Sequence, residues 1–329
     1  MTAADAESPP ATEPAAAPNA ASPPPVERLP VVGVRHPWRW VGIAAVLVLL
    51  AQLVHGFVTN PGWDWPTFGA YFVSATVLKA LWVTVQLTLL GTALGFVLGT
   101  VLAAMRLSRS SFLRVVSWSY VWAFRSIPLI VQLLFWFNIG YLYQTLQVGV
   151  PFGPGLFSVQ TNSLFGPMGA AVMGLALHQA AYAAEIIRGG IVSVDAGQLE
   201  AAAALGLPRR RQFFKIVLPQ AMRSILPNGA NEVISLFKGT SIVSVMAIPE
   251  LFYQVQVIYG RNGRVVPLLM VATVWYIVLT TALSILQHYL ERRFGRGSER
   301  HRGQSAVHRL RSGLAAIKAK ATESAVTGR

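Results

Sequence analysis

Polar and charged side chains recur inside the apolar segments of this 329-residue chain, where they could bind a polar ligand or bind one another. Five residues between positions 174 and 189 fall on one face of a helix: Gly174, His178, Tyr182, Glu185 and Gly189. No Asp, Glu or His near them has the spacing of a metal site, and no Ser/His/Asp set suggests hydrolysis. We therefore interpret His178 as an interior histidine.

A second polar stripe lies on the segment 222–247, and a lone arginine lies on the segment before both. The second stripe consists of Asn228, Asn231, Ser235 and Lys238, with Glu232 beside it and Ser241 one turn further on. Arg125 comes three residues before Pro128, which removes a helical hydrogen bond and frees the carbonyl of Phe124. Charges inside a membrane are costly and mark either a path or an internal pairing.

Two interpretations of these groups stay open. In the first they line a path across the membrane, with a cation available for the carboxylate of a solute. In the second Arg125, Glu232 and Lys238 form ion pairs or hydrogen bonds that fix the helix bundle. The break at Pro128 needs donors and favours the second for Arg125, whereas Lys238 and Glu185 are compatible with both.

The sequence lacks the common devices of catalysis and energy conversion. It has no cysteine, which excludes disulfides and Cys-ligated metals. It also contains no Gly-Lys pair, and hence no G-x-x-x-x-G-K-[ST] loop that could hold a nucleotide phosphate. We expect neither a metal nor a cofactor on this chain, and no enzymatic activity.

The elements that carry these residues are membrane helices. The chain is 53% hydrophobic and only 12% charged, against about 25% charged residues in soluble domains. Long charge-free runs each suffice for the roughly 20 residues that cross a bilayer. We predict an all-α polytopic protein with six spans, at 38–59, 79–105, 113–146 (interrupted), 167–188, 222–247 and 265–290.

The distribution of basic residues predicts the orientation of these spans. Most Lys and Arg residues fall in the two ends of the chain and in the loops after the second and fourth spans, and only Lys79, Arg261 and Arg264 fall on the other side. The positive-inside rule then places both termini in the cytoplasm. The net charge of +14 is accounted for in this way and does not indicate nucleic-acid binding. We expect a disordered tail at 1–37, an extra membrane helix at 38–59 and a basic tail at 291–329.

The cytoplasmic loop 195–219 has the composition of a short helix–turn–helix. Asp195 can cap a helix that continues through Glu200 and four alanines. Gly206 suits the left-handed position that ends a helix, and Pro208 suits the first turn of the next one. Pro219 is then expected to break the pattern before the next span. The alanine face allows close approach, either of another protein or of the chain's own helices.

A stripe of small residues repeats every four positions on the second span: Gly91, Gly95, Gly99 and Ala103. Small residues on one helix face let another helix approach closely in lipid. The stripe predicts close helix packing or dimerisation and does not identify a function.

The loop resembles the signature of permease subunits of bacterial ABC importers. The order Glu-Ala-Ala, three residues, Gly, nine residues, Ile, one residue and Leu-Pro is present without departure as Glu200-Ala201-Ala202, Gly206, Ile216 and Leu218-Pro219. Three stretches resemble the polar amino acid branch of that family: FRSIPLIVQLLFWF at 124–137, AYAAEIIRGGIVSVDAGQLEAAAALGL at 181–207 and FKGTSIVSVMAIPEL at 237–251. The resemblance covers residues 77–290, which are expected to form a five-helix permease core.

The resemblance implies a multi-pass subunit of a bacterial cell membrane that imports a polar amino acid or a related small solute. It implies a partner ATPase that binds ATP and Mg²⁺, an extracytoplasmic solute-binding protein and a second permease half, identical or related. The implied ATPase-coupling residues are Glu200, Ala201, Ala202 and Gly206. The implied residues of the translocation path are Arg125, Tyr182, Glu185, Asn231, Glu232, Lys238 and Ser241.

Two other classes of function are weighed against this one. A secondary transporter or channel would work without ATP, would normally show inverted repeats of helices and would not need the loop. A membrane scaffold would have little reason for two polar stripes inside its spans. The sequence identifies neither the solute nor the second permease half.

Overall fold

The computed structural model describes residues 37–149, 155–161 and 166–294. Most of the two predicted tails, at 1–37 and 291–329, lies outside the described residues. The chain divides into two compact units, Met1–Thr59 and Asn60–Arg329. The described part of the first unit is a single apolar helix, α1, Pro37–Thr59, long enough to cross a membrane.

The described part of the second unit is almost entirely helical. A 3₁₀ turn at Pro61–Trp63 and the short helix α2 (Trp65–Phe72) lead into the long helix α3 (Ala75–Arg106). The next helices in the chain are α4 (Ser111–Ser126), α5 (Leu129–Phe137), α6 (Ile139–Leu142) and α7 (Pro167–Val192). They are followed by α8 (Ala196–Ala204), α9 (Arg209–Gln212), a π-helical turn (Phe213–Val217) and α10 (Leu218–Gly239). A 3₁₀ segment (Thr240–Met246), α11 (Leu251–Asn262) and α12 (Val265–Phe294) complete the unit.

The predicted spans correspond to four straight helices and two bent ones. The helices α1, α3, α7 and α12 are each long and apolar enough to cross a membrane alone. The pair α4 and α5 is bent by 104° at the break before Leu129, and the helical run from Arg209 to Met246 makes an angle of 46° with α11. If each bent pair is counted as one span, the described residues contain up to six spans, the number predicted.

The third span is shorter than predicted. The hydrophobic pattern predicts a span up to residue 146, but its last helix ends at Leu142. The strand β1 (Thr145–Gly149) follows and pairs antiparallel with β2 (Gly155–Gln160), with Thr145 opposite Gln160. The sequence between the strands contains Pro151, Gly153 and Pro154, residue types that disfavour a helix. The hairpin is a local addition to an all-α fold.

The small-residue stripe of α3 packs against α7 of the same chain. A Cβ atom on Gly95 would lie 2.5 Å from Cβ of Gln179, and one on Gly99 would lie 2.6 Å from Cβ of Ala183. Gly91 faces Leu175 in the same register, one turn towards the N-terminus. The two helices therefore run in parallel at a distance that side chains on α3 would not permit.

Two of the three apolar clusters in the described residues hold most of the remaining elements around this pair, and the third joins α4 to α3 and α7. In the first, Leu87, Leu133, Leu175, Leu236 and Met246 bring together α3, α5, α7, α10 and the 3₁₀ segment. In the second, α3, α11 and α12 meet through the buried side chains of Val77, Leu251, Val255, Leu268 and Val271. Helix α7 thus lies in the centre of the unit, with one face against α3 and the opposite polar face towards α4 and α5.

Candidate functional site

The predicted polar face of α7 forms one wall of a polar site. The ring of His178 packs against the ring of Tyr182 at a centroid distance of 4.9 Å. On the other side of the site, the guanidinium carbon of Arg125 on α4 lies 5.2 Å from the centre of the Tyr182 ring. Gly174 admits Leu133 from α5, since a Cβ atom there would lie 2.9 Å from Cδ2 of Leu133. The glycine at 189 faces open space.

A cavity of about 400 Å³ opens between α4 and α7. It is lined by Arg106, Trp118, Val121, Trp122, Arg125, Ser126, Tyr182 and Glu185. Two tryptophans supply an aromatic wall, with their rings 6.2 Å apart and almost parallel. The cavity therefore combines aromatic surface, two guanidinium groups and one carboxylate within the size range of small-molecule sites.

Glu185 is the acidic centre of this site. Its Oε2 accepts hydrogen bonds from Nη2 and Nε of Arg188 at 2.8 and 3.0 Å, and its Oε1 lies 3.8 Å from Nη2 of Arg106. Arg125 also interacts electrostatically with Glu185, and with Glu232 on α10. None of the ion pairs in the described part of the chain includes Arg125 itself. Arg125 therefore forms no ion pair at contact distance, and the carboxylates of Glu185 and Glu232 act on its charge from farther away.

The carbonyl groups freed at the helix break beside Arg125 accept hydrogen bonds from Gln132, and not from Arg125 as the sequence suggested. Nε2 of Gln132 donates hydrogen bonds of 2.7 Å to the carbonyl oxygens of Phe124 and Ile127. Gln132 is buried, and its position one helical turn after Pro128 brings it back over the gap. Arg125 is thus not the donor that the break requires, and its guanidinium lines the cavity instead.

The second polar stripe lies on the exposed side of α10. Asn228, Asn231, Ser235 and Lys238 are exposed, whereas Ala221, Ile225, Gly229, Leu236 and Phe237 on the other side are buried. Oδ1 of Asn231 accepts a 3.0 Å hydrogen bond from Gln287 of α12, and Ser241 donates to the carbonyl of Lys238 at 2.8 Å. Glu232 is half-buried. The structure thus brings Arg125, Tyr182 and Glu185 into one cavity. Glu232 of α10 is close enough to act on Arg125, whereas Asn231 and Lys238 lie on the exposed side of α10.

The loop 195–219 has the predicted helical structure in its first half. The Asp195 side chain accepts a hydrogen bond of 2.8 Å from the backbone N–H of Gly197 at the start of α8. Gly206 has a φ of +69°, and the N–H of Gly206 and Leu207 donate to the carbonyls of Ala203 and Ala202. These bonds close the end of α8 in the way that left-handed glycine caps do.

The exposed surface of α8 differs in one respect from the predicted set of four residues. Glu200, Ala201 and Gly206 are exposed, but Ala202 is 3% exposed and packs inside the chain. Leu205, which the sequence analysis did not single out, is 80% exposed. One turn after Ala201, it adds an apolar side chain to the same face. The sequence signal for this exposed position was the leucine that directly follows the four alanines of the loop.

The second half of the loop corrects the prediction for Pro219. That proline does not interrupt the helix, because it lies in the first turn of α10, where the missing N–H is tolerated. The π-helical turn Phe213–Val217 joins α9 to α10 and lets the helical path run on without a break. Gln220 of α10 also donates to Gln198 of α8 at 2.6 Å, which ties the two parts of the loop together.

A buried carboxylate that was not predicted from the sequence holds the start of α11. The Oε1 and Oε2 atoms of Glu250 accept hydrogen bonds from the N–H groups of Tyr253 and Phe252, at 2.6 and 3.0 Å. Oγ1 of Thr84 on α3 accepts from the N–H of Leu251 at 3.0 Å. Glu250 therefore caps α11 and links it to α3, a structural role that a single carboxylate in an apolar stretch does not reveal.

Comparison with known proteins connects this arrangement to membrane transport. Residues 95–296 match the family described as binding-protein-dependent transport system inner membrane component. The arginine transport system permease protein ArgU of Corynebacterium glutamicum is 41% identical over 288 residues, which cover 85% of this chain and 86% of ArgU. The L-cystine transport system permease protein TcyB of Bacillus subtilis is 36% identical over 66% of this chain and 85% of its own length.

Solved structures of transporters share the fold. An amino acid ABC transporter crystallised with histidines matches 66% of this chain and 94% of its own, with a TM-score of 0.57 and 33% identity. The methionine ABC transporter MetNI in an inward-facing conformation matches 67% of this chain and 96% of its own, with a TM-score of 0.55. At 18% identity the second likeness concerns the fold alone.

Proposed function

Because the chain belongs to the family of binding-protein-dependent transport system inner membrane components, we propose that it imports a polar amino acid through the cavity between α4 and α7. The chain is a permease subunit of an ABC importer, a transporter component rather than an enzyme, in which the ATPase is a separate subunit. The family also implies a solute-binding protein as a partner. The names of the relatives, which transport arginine, L-cystine or glutamate and aspartate, support the solute class.

The observation that carries the proposal is the position of Arg125. Its guanidinium stands over Tyr182 at the edge of the cavity, without a paired carboxylate in the described part of the chain. A guanidinium binds a carboxylate through charge-assisted hydrogen bonds. The α-carboxylate of an amino acid fits this position, and Glu185 across the cavity suits its ammonium group. The aromatic wall suits the aliphatic part of a side chain.

The exposed stripe of α10 supports a path at the boundary with a second permease half. Asn231, Ser235 and Lys238 would be costly against lipid, because polar groups at membrane depth need polar or aqueous surroundings. A second permease half, identical or related, covers this face and encloses water between the two stripes. Glu232, Lys238 and Ser241 then line the central path between the two permease halves.

The segment from Asp195 to Pro219 is the proposed coupling element. Its first helix exposes Glu200, Ala201 and Leu205 to one side and is tied to α10 through Gln198 and Gln220. A displacement of this helix by the ATPase would therefore be transmitted to the helix that carries the polar stripe. This assignment requires the predicted orientation, with both termini and this loop in the cytoplasm.

Uptake by a reconstituted complex tests the proposed function. The chain, its ATPase, its second permease half and its solute-binding protein are placed in liposomes, and entry of radiolabelled arginine and glutamine is measured. We expect uptake only when ATP and the binding protein are both present, with competition from other polar amino acids. The matched control is the same complex with an ATPase that binds ATP but does not hydrolyse it. Uptake by the chain alone, without ATP, would support a secondary transporter instead.

A further inference from the structure

A second cleft lies next to the ends of α3 and α4, on the side of the membrane that the basic residues place in the cytoplasm. Its volume is about 320 Å³, and it is lined by Arg106, Ser111, Arg114, Val115 and Trp118. Arg106 is the last residue of α3, and the other four occupy the first two turns of α4. The cleft is thus a gap between two helix ends and is not part of the α10 stripe.

The charge of the cleft is strongly positive. Arg114 donates from Nη2 to the hydroxyl of Ser111 at 3.0 Å, which leaves most of its donors unused, and no ion pair in the described ranges includes it. Arg106 approaches Glu185 only to 3.8 Å, and that carboxylate already accepts two shorter bonds from Arg188. The stretch from 106 to 126 contains no acidic residue. The positive end of the α4 dipole adds to the attraction for an anion.

The cleft continues into an apolar surface. Phe112, Val115 and Trp118 on α4 are 74%, 61% and 51% exposed. Tryptophan and arginine side by side are typical of the boundary between hydrocarbon and headgroups. A soluble anion would gain nothing from these side chains, whereas a lipid with an anionic headgroup would fill both the polar and the apolar part of the surface.

We propose that this cleft binds an anionic phospholipid of the cytoplasmic leaflet. Arg106 and Arg114 hold the phosphate, Ser111 donates a hydroxyl to it, and the acyl chains lie along Val115 and Trp118. Basic pockets beside membrane helices on the cytoplasmic side bind such headgroups in other proteins. Because Arg106 and Trp118 also line the solute cavity, the bound lipid lies next to that cavity.

Native mass spectrometry of the purified transporter complex tests the site. The complex is titrated with phosphatidylglycerol and with phosphatidylcholine of the same acyl chains. We expect preferential retention of phosphatidylglycerol, and Arg114→Gln should weaken its binding about five-fold. Arg109→Gln is the matched control, because Arg109 is an exposed arginine of the same loop that does not line the cleft. Val115→Asp, which places a carboxylate in the cleft, should weaken binding at least as much as Arg114→Gln.

Three outcomes would overturn the proposal. The first is equal retention of the two lipids. The second is an equal loss of affinity for Arg109→Gln and Arg114→Gln, which would indicate a diffuse effect of surface charge. The third is displacement of the lipid by millimolar glycerol 3-phosphate, which would mean that the cleft binds phosphate without the acyl chains. Gel filtration verifies that each variant assembles.

Discussion

The side-chain amide of Gln132 donates a 2.7 Å hydrogen bond to the carbonyl oxygen of Phe124, across the break that Pro128 makes between α4 and α5. The same nitrogen donates to the carbonyl of Ile127 at an equal distance. One buried side chain therefore satisfies two carbonyls where a helix bends by 104°. Because Gln132 supplies these bonds, the neighbouring Arg125 is available to the cavity.

Replacement of Gln132 by leucine should destabilise the bundle. The substitution keeps the volume nearly constant but leaves two buried carbonyls without their donor, at a cost of about 2 kcal/mol. We expect the melting temperature of the purified chain in detergent to fall by about 5 °C. Gln147→Leu, at an exposed position of β1, is the control and should leave it unchanged. An unchanged melting temperature for Gln132→Leu would mean that the two carbonyls do not depend on Gln132.

The contact between α3 and α7 should be the most sensitive to added volume. A methyl group on Gly95 would come within 2.6 Å of both Cβ and Cγ of Gln179, so Gly95→Ala forces the helices apart. Overpacking of this kind costs about 1–3 kcal/mol. Thermal unfolding should show a lower melting temperature than for Gly91→Ala, where the nearest atoms are side-chain carbons at 3.2 and 3.3 Å.

The control for this series is Gly260→Ala, which adds a methyl group to α11 with nothing within 4 Å. Here the alanine should raise stability slightly, by about 0.5–1 kcal/mol, because it lowers the conformational entropy of the unfolded chain. A melting temperature for Gly95→Ala as high as for Gly260→Ala would show that the two long helices are not in the close contact described.

The exposed face of α8 should control ATPase binding and not solute choice. Leu205→Asp places a charge on an apolar position and should weaken ATPase binding about tenfold. Gly206→Leu should act in the same direction, because a side chain at a φ of +69° costs about 1 kcal/mol and disturbs the end of the helix. Co-purification of the ATPase measures both. Leu142→Asp, an equally drastic change at an exposed position outside the loop, should retain the ATPase.

A firmly bound ATPase and normal transport in the Leu205 and Gly206 variants would contradict the coupling role. A changed solute preference in those variants would count against it as well, since the loop is not expected to contact the solute. Co-purification of the ATPase therefore reports on coupling, and solute preference reports on selectivity.

Asp64 should give the fold a pH dependence in the acid range. Its carboxylate accepts a 2.7 Å hydrogen bond from the hydroxyl of Thr67 and pairs with Nη1 of Arg264 at 2.7 Å. The Thr67 hydrogen bond, followed by the weaker influence of Arg264, holds the pKa of Asp64 below its ordinary value of 3.8. The stability it contributes is thus fully present above about pH 4 and is lost as the pH falls through the folded-state pKa.

Unfolding at a series of pH values from 6 down to about 2.5 measures this contribution. Asp64→Asn keeps a side chain that tolerates the left-handed backbone and caps α2, but it does not titrate. We expect the variant to lose part of the acid dependence that the natural chain shows. Identical pH profiles would show that ionisation of Asp64 makes no contribution to stability.

Local chemistry in the sequence predicted some parts of the structure and concealed others. The left-handed Gly206 and the cap at Asp195 follow from backbone rules that act over a few residues, so they could be predicted. The glycine stripe indicated close packing, but its partner α7 could be identified only from tertiary structure. Gln132 was not predicted as the donor at the break, since a charged neighbour looked the stronger candidate. The helix break predicted at Pro219 is absent, because a π-helical turn before it continues the helical path into α10.

The most direct test of the translocation path is uptake by the reconstituted complex with Arg125→Gln. Loss of one charge-assisted hydrogen bond to the solute carboxylate should lower uptake about 10- to 100-fold. Basal ATP hydrolysis and assembly should be retained. Uptake with Arg125→Lys should lie between the uptake of the natural chain and that of Arg125→Gln. Arg109→Gln, at an exposed position outside the cavity, should transport normally. Normal amino acid uptake by the Arg125→Gln complex would contradict a path that passes Arg125 and Tyr182.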